Sequence, residues 1–144
     1  MTDELRRLAD HIQNDIFEQA KQELGEGFLD SWLAPQHMGH PGQCSSMASL
    51  TGSCGDQIDI YLLIKEERIR EARFTTTGCG PSIVCADTAC RLAEGKGLEQ
   101  AGGLEAEDIL CEVKRLPKDH AHCAFLAAQT LQEAIRIYWQ EERA

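Results

Sequence analysis

Apolar residues recur over residues 3–24 at spacings of three and four: Leu5, Leu8, Ile12, Ile16, Ala20 and Leu24. That period predicts an amphipathic helix, capped by Thr2 or Asp3 and stopped by Gly25 and Gly27. Over residues 28–53 the period is lost. Pro35, Gly39, Pro41 and Gly42 fall among small and polar residues, so an irregular path is expected, with a short strand near Ser46–Leu50 weakly signalled. From residue 57 the period becomes two. Ile58, Ile60, Leu62 and Ile64 share one face of a strand over 57–64. Residues 69–76 read as its partner, with Ile69, Glu71, Arg73 and Thr75 on one side and Arg70, Ala72, Phe74 and Thr76 on the other. The link Lys65-Glu66-Glu67-Arg68 is short, so an antiparallel hairpin is expected, one face buried under helices.

The rest of the chain reads as helical. Gly78-Cys79-Gly80-Pro81 opens a helix, since the missing N–H of Pro81 costs nothing in a first turn. It should run to about Glu94, end at Gly95 and Gly97, and bury Ile83, Ala86, Cys90 and Ala93. Short helical pieces are expected at 98–101 and 105–112, with Leu116-Pro117 breaking the pattern. A last helix should run from near His122 to about Glu142 on a stripe of Phe125, Ala128, Leu131, Ile135 and Tyr138. The order predicts one α+β domain over residues 1–144: a small antiparallel sheet of about three strands covered by helices, with an additional N-terminal helix within residues 1–27.

Charge and cysteine content narrow the function. The chain has 144 residues, with 14 Lys and Arg against 24 Asp and Glu, a formal net charge of −10. That argues against nucleic acid or an anionic membrane as partner and allows a basic protein. No run of about 18 apolar residues exists for a membrane helix. The start MTDELRRLADHIQND lacks the apolar core of a signal peptide, and Asp3 and Glu4 argue against a transit peptide, so a cytoplasmic protein is expected. The seven cysteines are an odd number, and in a reducing compartment they point to metal, catalysis or burial rather than disulfides.

Three of the seven sit where one element gives way to another. Cys54 precedes the first clear strand, Cys79 lies between two glycines at a strand-to-helix junction, and Cys123 opens the last helix. A helix N-terminus stabilises a thiolate, the form that binds metal or attacks an electrophile, and this applies to Cys79 and Cys123. Gly78 and Gly80 leave room for a bulky inorganic ligand. Asp56 lies two residues from Cys54, and His122 adjoins Cys123. Three thiolates with a carboxylate or imidazole make a four-coordinate site for an iron–sulfur cluster or zinc. Cys85, Cys90 and Cys111 read as buried packing residues, and Cys44 is open. His37 and His40 offer two imidazoles with no obvious partner, His11 reads as a surface residue, and His120 as either a solvated loop residue or one that lines the site. Glu105–Asp108 reads as a solvated acidic face. Gly95-Lys96-Gly97 follows a helix rather than opening one, so it is not a phosphate loop.

With those residues in view, the chain resembles the IscU/NifU-type iron–sulfur cluster scaffold family. Cys54-Gly55-Asp56 before a strand is similar to the family's first ligand motif. Ala72-Arg73-Phe74-Thr75-Thr76-Thr77-Gly78-Cys79-Gly80 with Ser82-Ile83 is similar to the second. Glu94-Gly95-Lys96-Gly97-Leu98 resembles its Gly-Lys turn, and Leu116-Pro117 followed by His122-Cys123 resembles the third. The resemblance covers residues 47–142. It implies a SufE/NifU-like fold and the assembly of a cluster, commonly 2Fe–2S, from iron and from persulfide sulfur supplied by a cysteine desulfurase. Transfer to acceptor apoproteins would follow, and zinc often occupies the site in apo forms. By position it implies Cys54, Cys79 and Cys123 as ligands, with Asp56 or His122 as the fourth. Cys123 would be the first acceptor of persulfide sulfur. A monomer and a cluster-bridged dimer both fit.

The chain also departs from the family. Leu116-Pro117-Lys118-Asp119-His120-Ala121 stands where the family has Leu-Pro-Pro-Val-Lys, which argues against its dedicated Hsp70-type chaperone as a partner. Residues Pro35–Gly39 only faintly echo the family's Asn-Pro-Arg-Asn segment. Cys85 and Cys90 stand where the family usually carries small residues, either as packing or as added sulfur-handling thiols. The alternative reading is a zinc-dependent sulfur acceptor, or sulfurtransferase, using Cys123. Relatives of that kind carry an insertion between the second and third cysteines, and this chain has none evident. A structural zinc adaptor is a third reading.

Overall fold

The computed structural model describes residues 34–53, 55–78, 80–113 and 121–143. The helix expected over 3–24, His11, Cys54, Cys79 and His120 lie outside the described residues. Three strands, β1 (Ser46–Thr51), β2 (Gln57–Lys65) and β3 (Arg68–Thr76), are followed by α1 (Gly80–Ala93), α2 (Leu98–Gly102), α3 (Ala106–Glu112) and α4 (Ala121–Arg143). The strands form an antiparallel sheet in the order β1-β2-β3. The α+β architecture expected from the sequence is therefore present. Among the described residues no helix is long and apolar enough to cross a membrane.

The alternation of β2 decides which side of the sheet is covered. Ile58, Ile60 and Leu62 are wholly buried and meet Ala48 of β1 and Ala72 and Phe74 of β3 on the same face. Helices α1 and α4 pack on that face and on each other, closing one continuous core.

In β3 the strict period of two fails. Leu63 pairs with Glu71 but Ile64 pairs with Ile69, so Arg70 is an extra residue on the β3 side. This bulge turns Ile69 onto the same face as Ala72 and Phe74, where it is fully buried, instead of beside Glu71 and Arg73 as the alternation predicts. The hairpin link has positive φ at both Glu66 (55°) and Glu67 (61°). Two such residues match the right-handed twist of the flanking strands, although neither is a glycine or asparagine.

The last helix also differs from its expected stripe. Phe125 is 54% exposed, and the buried row is Ala124, Ala127, Ala128, Leu131, Ala134 and Ile135. Small residues let α4 approach the sheet and α1 closely, and a phenylalanine in that row would hold them apart. Glu105–Asp108 is also more than a solvated face. The Asp108 carboxylate accepts from Glu105 N at 2.8 Å, and the Glu105 side chain accepts from the Asp108 backbone, a capping box that starts α3.

The segment expected to be irregular before β1 has a defined role. Phe74 N donates to His37 O at 2.9 Å and Gly39 N to Phe74 O at 2.8 Å, laying residues 37–39 beside β3. The turn after α1, where Gly95 takes φ 82°, attaches to the start of β3. Gly95 N donates to Ile69 O at 2.8 Å, Ile69 N to Lys96 O at 3.0 Å, and Leu98 N to Glu67 O at 3.0 Å. Gly95-Lys96-Gly97 is thus a structural clip on the hairpin.

Candidate functional site

Three stretches of chain meet at one end of the sheet: the β1–β2 turn, the β3–α1 junction and the first turn of α4. Gly52 N donates to Asp56 O at 2.8 Å and Gly55 N to Gly52 O at 3.0 Å, with Gly55 at φ 90°, which makes the first turn tight. Threonines tie this turn to the end of β3. Thr76 Oγ1 donates to Gln57 O at 2.7 Å and accepts from Gly78 N at 3.0 Å, while Gln57 N donates to Thr77 Oγ1 at 3.0 Å. These bonds hold Asp56, the neighbour of Gln57, against Gly78 and the start of α1.

At the centre lies a side chain that the sequence reading did not single out. Ser82 Oγ donates to Asp56 Oδ2 at 3.1 Å and lies 3.5 Å from Cys123 Sγ. Cys123 Sγ in turn lies 3.6 Å from His122 Nε2. Ser82 and Cys123 are buried, whereas Asp56 and His122 are half-buried and reach solvent. Of the five residues expected to form the site, Asp56, His122 and Cys123 are therefore brought together. Cys54 and Cys79 are not described, but residues adjoining them in sequence, Gly55, Asp56, Gly78 and Gly80, belong to the same turn and junction.

Gly78 is required by its neighbours. A Cβ there would lie 2.4 Å from Ser82 Oγ, 2.6 Å from Ser82 Cβ and 3.0 Å from Asp56 Oδ2. The signal for Ser82 was its place in a helix row continued by Cys85, Ala86 and Ala89, all buried. A polar residue in an otherwise apolar row needs a partner.

The other cysteines divide by environment. Cys85, one turn beyond Ser82, is fully buried; burial, and then the nearness of Cys123, push its thiol up to about 12. Burial, followed by Asp87 and Glu94, also pushes the Cys90 thiol well up. Both are protonated, inert packing residues at neutral pH, as the sequence suggested. Cys111 is exposed, contrary to the expectation of burial, because it lies on the outer side of the short helix α3. Cys44 is exposed too and donates to Ser46 O at 3.0 Å.

The two histidines of the Pro/Gly-rich loop part company. His37 is buried, its Nδ1 3.3 Å from Asp87 Oδ1 and its Nε2 3.0 Å from Glu94 Oε2. His37 N also donates to Asp87 Oδ1 at 2.9 Å, and Glu94 Oε1 accepts from Ala72 N at 3.1 Å. His37 therefore locks its segment to α1 and β3. His40 is exposed with its ring 4.4 Å from that of Tyr61. Among the described residues, no group of three or more His, Cys, Asp or Glu side chains is arranged to hold a metal ion.

The fold has counterparts among known proteins. Residues 25–144 match the family described as the NifU-like N terminal domain, and the chain belongs to that family. It is 35% identical over 114 residues to iron-sulfur cluster assembly scaffold protein IscU 1 of Archaeoglobus fulgidus, a match that spans 78% of this chain and 74% of that protein. It is 31% identical over 128 residues to iron-sulfur cluster assembly scaffold protein IscU of Aquifex aeolicus, spanning 83% of this chain and 78% of the relative. In fold it is similar to the crystal structure of a SUF-system protein from Fervidobacterium islandicum AW-1. The TM-score is 0.66 at 21% identity, over 81% of this chain and 98% of the other.

Proposed function

We propose that this protein is a scaffold on which an iron–sulfur cluster, of 2Fe–2S type, is assembled and from which it passes to acceptor apoproteins. Cys54, Cys79 and Cys123 are its thiolate ligands, and Asp56 or His122 supplies the fourth position. The observation that carries the reading is the meeting of Asp56, Cys123 and His122 at one end of the sheet, in a chain of the NifU-like family.

Each residue has a part consistent with its surroundings. Cys123 sits at the N-terminus of α4, where unpaired backbone N–H groups favour a thiolate. That thiolate attacks the outer sulfur of a persulfide presented by a cysteine desulfurase. A new S–S bond forms on Cys123, the old one breaks, and the donor leaves as its own thiolate. Reduction of the bound sulfur to sulfide takes electrons from an external reductant, and iron then joins it on the thiolates. A carboxylate is a harder partner for cluster iron than a thiolate, so Asp56 makes the site looser than four cysteines would. Half-exposure of Asp56 and His122 leaves the cargo a way out. Sulfur donor and acceptor proteins are therefore the partners, in the cytoplasm, and zinc occupies the thiolates when no cargo is present.

Anaerobic reconstitution with iron, a cysteine desulfurase and cysteine tests this, followed by absorption and Mössbauer spectroscopy. The wild type should form a cluster, and Cys54→Ala, Cys79→Ala and Cys123→Ala should each lose or destabilise it. A wild type that takes only stoichiometric zinc and accepts sulfur on Cys123 would replace the scaffold with a zinc-dependent sulfur acceptor.

A further inference from the structure

The hydroxyl of Ser82 joins two of the elements that build the site. Ser82 is completely buried, so its one hydrogen needs a partner within the protein. The two buried threonines of the helices satisfy theirs on their own helix: Thr88 donates to Val84 O and Thr130 to Leu126 O, each at 2.7 Å. Ser82 lies in the first turn of α1, where no helical carbonyl stands four residues back, and it donates to Asp56 Oδ2 across the β1–β2 turn. A carboxylate only accepts, so the direction of that bond is fixed, and the lone pairs of Ser82 Oγ are left on the side of Cys123 Sγ. Gly78 leaves the space in which this happens, because any Cβ there would collide with the hydroxyl.

We propose that Ser82 is a positioning residue of the site, holding the Asp56 carboxylate beside Cys123 with Oδ2 engaged and Oδ1 turned to the incoming metal ion or cluster iron. The inference rests on the scaffold reading of the same site and deepens it. Carboxylates that bind metal are generally oriented by a hydrogen bond behind them, and loss of that bond weakens metal binding without removing a ligand. The serine also couples two distant parts of the sequence, since Asp56 and Cys123 approach the site on different elements.

Cobalt(II) is the probe, because its visible bands report ligand type and geometry independently of any cluster transfer. Apo wild type, Ser82→Ala, Asp56→Ala and the double variant are titrated anaerobically with Co²⁺ against a competing chelator. Ser82→Ala should weaken Co²⁺ by roughly 10–100-fold and move its d–d bands towards those of Asp56→Ala. The double variant should bind no more weakly than Asp56→Ala alone, because the serine acts through the carboxylate. Wild-type affinity and bands in Ser82→Ala overturn the role of Ser82 and leave the site reading standing. Fully additive losses in the double variant also overturn it, since they mark a packing effect. A wild type that takes up neither Co²⁺ nor a cluster overturns the site reading itself, and the role of Ser82 with it.

Discussion

Four of the cysteines outside the proposed ligand set show how differently one residue type behaves in one chain. Cys85 and Cys90 lie between α1 and its neighbours, where no water reaches and the thiolate is disfavoured. Cys44 and Cys111 face solvent. Iodoacetamide at pH 8 should therefore alkylate Cys44 and Cys111 in the native protein and leave Cys85 and Cys90 unmodified until denaturant is added, as read by peptide mass spectrometry. Rapid native modification of Cys85 would show that the α1–α4 interface opens readily. At this scale the sequence was a fair guide to Cys85 and Cys90, whose neighbours are apolar. It misled for Cys111, because a helix of seven residues has too little periodicity to say which side is inward. It quoted Ser82 within the second motif but gave it no role, because its neighbours Asp56 and Cys123 lie 26 and 41 residues away along the chain.

Among the elements, β2 was the most legible, since four isoleucines and leucines on alternate positions allow only one inward face. β3 was less so. A reading by period assumes that no residue is inserted, and the bulge at Arg70 breaks that assumption while leaving the apolar residues in place. The stripe on α4 held at Ala128, Leu131 and Ile135 but not at Phe125, where close packing selected the neighbouring alanines. The hairpin turn yields a prediction. Glu66 and Glu67 both occupy the left-handed region, which costs an ordinary L-residue about 1–2 kcal/mol. Replacing them together with Asn and Gly (Glu66→Asn, Glu67→Gly) should raise stability by about 1 kcal/mol or more in urea unfolding. Among the described residues the change removes one exposed ion pair, Glu66 with Arg70 at 3.7 Å, which contributes little. A decrease in stability would mean that the turn is held by something other than its own conformation.

For the whole molecule, stability at high pH follows from the buried thiols. Cys85 has a native value of about 12 against an ordinary 9.0, so the unfolded chain loses this proton first. The stabilisation is complete below pH 9 and is lost as the pH rises towards 12, at about 1.4 kcal/mol per unit for one such group. Cys90 acts in the same direction. Urea denaturation at successive pH values should show this decline, and Cys85→Ala should make it shallower. An unchanged slope in that variant would mean that the thiol ionises as easily in the native protein as in the unfolded one. The fold class could be read from the order of elements; for the candidate site, three short motifs pointed to residues of which Asp56, His122 and Cys123 lie together in the described structure. What joins those motifs, the threonine bonds and the hydroxyl of Ser82, depends on tertiary placement and has no signature of its own along the chain.

The covering of β3 bears on how copies of the protein meet. On the side away from β2, Ile69 N is bonded to Lys96 O, Ala72 N to Glu94 Oε1 and Phe74 N to His37 O, while Ile69 O and Phe74 O accept from Gly95 and Gly39. A strand from a second molecule finds no ready row of donors and acceptors there. Edge-to-edge growth of the sheet, the usual start of strand-mediated aggregation, is blocked along that border by the chain's own backbone and by one glutamate. Among the described residues the only border left to such growth is that of the six-residue β1.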